Sequence, residues 1–232
     1  MGSNRYIDLT MEIPAAATFP VEGYPECKIE FAVTPETVKI PGSERWIRKI
    51  SCCVHESTHM DAPCHYLGEG YRSIDQWPLE TLLGEALVVD LDGQISEGEG
   101  ITAAHLEKAV GSKVKKGDRL IFKTGWLDKT WGKSYKGRHN LYYNLEASPY
   151  LTKEGADWVV EKGIILVALD FVLDTDQSFP AHWVLLPNDV CIVEHINSSR
   201  LSKEKVFLIA LPLKIVGSDG SMARVVAIEE LD

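Results

Sequence analysis

The stretch His55-Glu56-Ser57-Thr58-His59-Met60-Asp61-Ala62-Pro63-Cys64-His65 gathers three of the chain's seven histidines and a carboxylate within eleven residues, and any fold must accommodate it. His55, His59, Asp61 and His65 all stand at odd positions, so an extended backbone would project the four to one side. A helix would bring His55 and His59 together at i and i+4 but would turn Asp61 away. A straight strand from His55 to His65 would run roughly 33 Å at ~3.3 Å per residue, too far for side chains that reach an ion at about 2 Å. The segment must therefore curl, and Pro63, which fixes its own φ and restricts Ala62, supplies the bend. The spacing predicts a strand ending in a rigid, ligand-bearing loop. A lone buried histidine is usually a hydrogen-bonded core residue, but clustered ligand types are rare outside metal sites.

A chain of 232 residues can bury a sizeable core without staples and is expected to form a single domain over 1–232. Acidic residues outnumber basic ones 34 to 24, the formal net charge is -10, and no lysine-arginine block interrupts the excess, which argues against nucleic acid and anionic membrane as partners. The five cysteines lack the spacing of a zinc ribbon or a disulfide framework and read as reduced thiols. With no signal-like apolar run at the start and no membrane span, a cytoplasmic location is the expectation.

Strands are expected at 5–10, 28–33, 46–54, 86–91, 119–124, 164–169, 190–193, 206–211 and 225–228, from alternating or continuous apolar patterns. Helices are expected at 78–83 with Gly84 as stop, at 103–110 capped by Thr102, and from Thr152 to Gly163. The Pro-rich 11–26 stretch and the polar, aromatic 127–149 stretch read as irregular, the latter able to close over a site or meet another subunit. This order predicts an α/β fold with a mixed β-sheet core and a few flanking helices. Phe19-Pro20 either caps the core or lines a pocket for an apolar substrate.

A second ion would need more ligands, and His182, after Pro180, and Glu194, closing the apolar run Val190-Cys191-Ile192-Val193, can supply them. A carboxylate there is partly buried, which is costly unless it meets a cation or donors. His195 would face the opposite way and reads as structural or exposed, His105 and His139 as solvated, and Cys64 as a packed thiol.

The pattern His55-x-x-Thr58-His59-x-Asp61-x-Pro63-x-His65 resembles the HxGTHxDxPxH signature of the cyclase-like metal-dependent hydrolases, the family of bacterial kynurenine formamidase and isatin hydrolase. Asp8-Leu9-Thr10, Thr124-Gly125, Ala181-His182 with Glu194 twelve residues on, and Ala223-Arg224 extend the likeness over nearly the whole chain. The resemblance implies a swivelling β/β/α fold and a homo-oligomer, dimer or tetramer. It further implies two divalent ions, zinc or manganese: His55, His59 and Asp61 hold one, and Asp61 bridges to a second held by His182 and Glu194. His65 would be the acid/base residue. Ser57 replaces the family's usual glycine, the 170–174 region departs from a serine-containing pattern, and Phe19 stands where kynurenine formamidases tend to have tryptophan, so the substrate is the open question.

The expected chemistry is hydrolysis of an amide, lactam or related carbon-nitrogen bond in a small molecule, such as an aryl formamide or a cyclic imide, by metal-activated hydroxide. Imidazole suits the proton transfer because its pKa of about 6.5 lies near working pH. The alternatives are a lactone hydrolase, a metal-dependent cyclase or dehydratase acting on a polyketide-like or other cyclic substrate, and a non-enzymatic metal-binding protein.

Overall fold

Among the described residues the chain forms twelve strands, most of them placed by apolar runs: β1 Asn4–Asp8, β2 Lys28–Val33, β3 Ile47–Ser51, β4 His59–Asp61, β5 Leu83–Asp90, β6 Gly100–Ile101, β7 Arg119–Lys123, β8 Tyr150–Leu151, β9 Leu166–Ala168, β10 Cys191–Glu194, β11 Lys205–Pro212 and β12 Gly220–Glu230. The computed structural model describes residues 4–13, 25, 27–39, 41–42, 44–130, 147–176 and 178–230. Six short α-helices connect the strands: α1 Cys64–Leu67, α2 Leu79–Leu82, α3 Ala103–Leu106, α4 Trp126–Thr130, α5 Lys153–Glu161 and α6 Pro180–Leu185.

Eight strands form one mixed sheet in the order β1-β12-β11-β5-β7-β9-β10-β4, and β4 pairs with β12 as well as with β10. That second pairing closes seven of the strands into a barrel-like ring, with β1 added to β12. The strands β5, β7, β9 and β10 run parallel, and the remaining pairings in this sheet are antiparallel.

Alternation along the parallel strands separates two cores. Ile121, Leu166, Ala168 and Val193 pack with Met60, Leu208 and Val225. Their sequence neighbours Leu120, Phe122, Val167 and Ile192 pack instead with Leu106 of α3, Val159 of α5 and Leu185 of α6. Both faces of these strands are therefore covered, which is why they read as continuous apolar runs. Among the described residues no helix is long and apolar enough to cross a membrane.

The carboxylate of Asp170, just past β9, is fully buried and ties neighbouring strand ends together. It accepts from the Thr124 and Gly125 N–H groups at 2.8–3.1 Å, from Thr124 Oγ1 at 2.8 Å and from Ser198 Oγ at 2.9 Å. Burial outweighs these donors and raises its pKa to about 6.

Several local expectations change. Gly84 lies inside β5, where its φ of 144° and missing side chain leave room for Arg119; a Cβ there would fall 2.6 Å from the guanidinium. Arg119 donates to the carbonyls of Glu80, Thr81 and Glu85. Residues 103–110 split into α3 and a π-helical turn, Glu107–Gly111. The aromatic excursion begins as a helix, α4, with Trp126 buried, while 131–146 lie outside the described residues, as do Phe19 and His139. Cys27 and Cys52, expected as thiols, form a disulfide one step beyond the Lys28–Ser51 pair of the β2–β3 hairpin, a cross-strand proximity that residue spacing alone does not reveal.

Candidate metal centre

β4 is only three residues long, yet it carries two of the expected ligands on one face, because His59 and Asp61 alternate with Met60. Its registers are fixed on both edges: Glu194 of β10 opposes His59, and Gly220 of β12 opposes Asp61. His55 reaches the same place through a backbone reversal. Ser57 adopts φ 57°, the left-handed region that favours glycine, and its hydroxyl donates to the Met11 and Glu12 carbonyls at 3.2 and 3.0 Å. Thr58 Oγ1 accepts from the Met11 N–H at 2.8 Å and donates to the His195 carbonyl, tying the loop to the N-terminal segment.

The late segment contributes from two elements. His182 sits on α6, which begins with Pro180, and Asp174 orients it by accepting from the Ala181 and His182 N–H groups at 3.0 Å and from His182 Nδ1 at 2.7 Å. Glu194 ends β10; its Oε1 accepts from the Leu173 N–H at 2.6 Å and its Oε2 lies 3.3 Å from His59 Nε2.

Each of the three imidazoles is engaged on its outward nitrogen. His59 Nδ1 is 2.9 Å from the Ser57 carbonyl, His182 Nδ1 is 2.7 Å from Asp174, and His55 Nε2 is 2.9 Å from Asp219. The inward nitrogens converge on Asp61: His55 Nδ1 and His59 Nε2 stand 2.9 and 3.5 Å from its Oδ1, and His182 Nε2 stands 3.4 Å from its Oδ2. With protons on the outward nitrogens, the inward lone pairs would face carboxylates, an arrangement that calls for positive charge in between.

The protonation equilibria express the same demand. Burial disfavours a charged His55, but Asp219 and Asp61 prevail and raise its pKa to about 10; burial is likewise overcome at His182 by Asp174 and Asp61, again to about 10. Burial opposes ionisation of Asp61 and Glu194, yet His182 and His55 hold Asp61 well below the usual range, and His59 with His195 brings Glu194 to about 2. Asp61 Oδ2 is fully buried and has no hydrogen-bond partner among the described residues. Two triads have ligand atoms within 4.8 Å of one another and share Asp61: His55-His59-Asp61 and Asp61-His182-Glu194. Charge, donor types and the orphaned oxygen all fit divalent cations.

His65 lies at the rim on α1, its side chain about one-fifth exposed and its Nδ1 3.0 Å from Asp219 Oδ2. The His55 and His65 rings are 4.0 Å apart. Tyr66 stacks on His182 at 4.7 Å, and Phe179 and Trp183 extend an aromatic wall from it, each 5.5 Å from Tyr66.

His195 is buried and not exposed: its φ of 58° breaks the strand alternation, so its ring comes within 5.5 Å of His59 and joins a further cluster with His59 and Glu194. Burial lowers its pKa to about 4, so it is neutral near pH 7. Sequence reasoning passed over Asp174 and Asp219, which mark no motif, and Glu56. The Glu56 carboxylate is fully buried without a hydrogen-bond partner among the described residues, and burial pushes its pKa up to about 7, partly offset by His59.

A family profile described as "Putative cyclase" matches residues 7–177. Kynurenine formamidase of Bacillus thuringiensis (strain Al Hakam) is 30% identical over 184 residues, covering 78% of each chain. Cyclase-like protein 3 of Oryza sativa subsp. japonica is 31% identical over 186 residues, 75% of this chain and 63% of that protein. Among solved structures, isatin hydrolase A from Ralstonia solanacearum superposes with a TM-score of 0.77 at 22% identity, covering 98% of this chain and 92% of that one. An isatin hydrolase bound to the product analogue thioisatinate gives 0.79 at 20% identity over 98% and 93%.

Proposed function

This chain belongs to the cyclase family, and from that membership we propose that it is a metal-dependent hydrolase opening the carbon-nitrogen bond of an aryl formamide or a cyclic imide or lactam. The observation that carries the reading is Asp61: its two oxygens turn to different imidazoles, and Oδ2, though buried and 3.4 Å from His182 Nε2, has no hydrogen-bond partner among the described residues. In this reading His55, His59 and Asp61 hold one ion, and Asp61, His182 and Glu194 hold a second. Three nitrogens among the ligands suit zinc, and a larger share of oxygen would favour manganese. A divalent ion there supplies Lewis acidity, lowering the pKa of water from about 15.7 to about 7 and polarising a carbonyl.

The chain's own groups do the rest. His65, partly exposed beside the ligands, takes the proton of the attacking water and returns it to the leaving nitrogen. Tyr66 and Phe179 offer ring faces to an aromatic substrate, and Phe179 is held at φ 50°, a strained conformation of the kind that clusters at functional sites. The relatives named kynurenine formamidase and isatin hydrolase support an aryl amide or fused lactam.

A homo-oligomer is part of the proposal. Among the described residues the β2–β3 hairpin pairs with no other strand, and it exposes Phe31, Trp46, Ile47 and Ile50, a surface that a second copy would cover.

Metal content measured alongside a panel of N-aryl formamides, cyclic imides, isatin and lactones, read by acid release, tests the function. The expected result is two ions per chain and acid release from a formamide, imide or lactam. Bound metal with no acid released from any member of the panel would refute it.

A further inference from the structure

Asp219 lies immediately before β12, in the turn that brings the chain back to β4. Its side chain is close to half exposed, and Oδ2 alone makes two contacts, 2.9 Å to His55 Nε2 and 3.0 Å to His65 Nδ1. Asp174 engages the outward nitrogen of His182 alone and the Ser57 carbonyl faces Nδ1 of His59 and of His195, whereas Asp219 joins a ring of the His55-His59-Asp61 triad to His65 at the rim. We infer that Asp219 is a positioning residue that fixes the tautomers of a metal-binding and a proton-carrying histidine through one shared oxygen. The inference rests on the assignment of His65 to proton transfer.

An ionised carboxylate only accepts hydrogen bonds, so the nitrogens facing it, His55 Nε2 and His65 Nδ1, both carry protons. His55 is then left with the lone pair of Nδ1, the atom turned to Asp61 at 2.9 Å. His65 is left with the lone pair of Nε2. During turnover that nitrogen takes a proton from water and gives the same proton to the leaving nitrogen, while the Nδ1 proton stays on the Asp219 bond throughout. Without Asp219, both rings could exchange tautomers and rotate, and the two functions would lose register together.

Backbone contacts set Asp219 in place independently of its side chain. The Ala62 N–H donates to the Asp219 carbonyl at 2.9 Å, and Gly220 pairs with Asp61. A Cβ on Gly220 would fall 2.5 Å from His55 Cε1, so the chain approaches His55 this closely only because residue 220 lacks a side chain. Substitution of Asp219 therefore removes the carboxylate and leaves the seam between β4 and β12.

Asp219→Ala, His65→Gln and the double variant, assayed with metal in excess on whichever panel substrate is turned over, separate the possibilities. The expected result is a kcat about 10- to 100-fold lower in Asp219→Ala with KM unchanged, and a double variant no slower than His65→Gln. Metal affinity, read by competition with a chelator, falls in Asp219→Ala by about the same 10- to 100-fold, reporting the His55 arm apart from activity. Full kcat in Asp219→Ala when His65→Gln has lost it overturns the inference, as do multiplicative losses in the double variant. Turnover retained in His65→Gln sinks the assignment of His65 instead. Nitrogen NMR of the zinc-loaded wild-type protein, with the His65 signals identified by their loss in His65→Gln, gives a check that needs no Asp219 variant. A proton on Nδ1 is expected, and a proton on Nε2 alone overturns the inference.

Discussion

Glu56→Gln should remove a pH dependence of stability that the parent protein carries. The Glu56 side chain has no accessible surface and neither oxygen has a hydrogen-bond partner among the described residues, so burial disfavours ionising it in the folded protein and, against the opposing pull of His59 and the Ser57 backbone, raises its pKa from 4.5 to about 7. At about 1.36 kcal/mol per pH unit the gross cost of the ionised form is about 3.4 kcal/mol. The carboxyl is only moderately deep, and allowing for solvent screening leaves roughly half of that. The folded state holds the proton more tightly than the unfolded chain does. The stabilisation is therefore complete below pH 4.5, is lost as pH rises toward about 7, and does not change further above it. Urea unfolding of both proteins stripped of metal by a chelator, at about pH 5 and about pH 8, measures the effect, because comparison at each pH cancels every titration they share. The parent should lose about 1–1.5 kcal/mol relative to Glu56→Gln between those points. A constant offset between the two proteins, or a parent that gains on the variant as pH rises, would refute the reasoning.

His59→Ala and Asp61→Asn should each abolish bound metal and hydrolysis together, since His59 faces both carboxylates and Asp61 is shared by the two triads; full activity in a metal-free His59→Ala protein would sink the mechanism. Asp170→Ala should cost about 3 kcal/mol, because the buried Thr124 and Gly125 N–H groups, which both donate to Oδ2, and the Thr124 and Ser198 hydroxyls all lose their acceptor. Calorimetry should register it as a fall in Tm of about 6–12 °C for a chain of this size, and an unchanged Tm would contradict the role given to that carboxylate.

The parallel strands were legible because both faces of β7, β9 and β10 are covered, which fills their central positions, Leu120-Ile121-Phe122, Leu166-Val167-Ala168 and Cys191-Ile192-Val193, with apolar residues. β4 was not legible as a strand, because three residues bearing two polar ligands show no apolar pattern; its extended form comes from β10 and β12 on either side. The residues at the centre could be picked out because His55, His59 and Asp61 cluster in sequence and Glu194 ends an apolar run. The residues that orient them could not. Asp174 and Asp219 are ordinary acidic residues in loops, and only the folded chain brings them to His182 and to His55 with His65. His195, read as structural or exposed, is buried, and it faces the cluster for a local reason. Strand alternation would turn it away from Glu194, but its positive φ ends the alternation and rotates it back beside His59.

The closure of the ring at β4 also sets a timetable for the protein's birth. His59 lies opposite Glu194 and Met222, the latter 163 residues downstream, so neither edge of β4 can be paired until most of the chain has left the ribosome. At about 5–20 residues per second, His59 waits about 8–33 s for the residues that bring the cluster together. A nascent chain halted before residue 220 would hold every residue of both triads and still lack the strand that closes the ring around them. The ring around both triads therefore closes only once β12 has emerged.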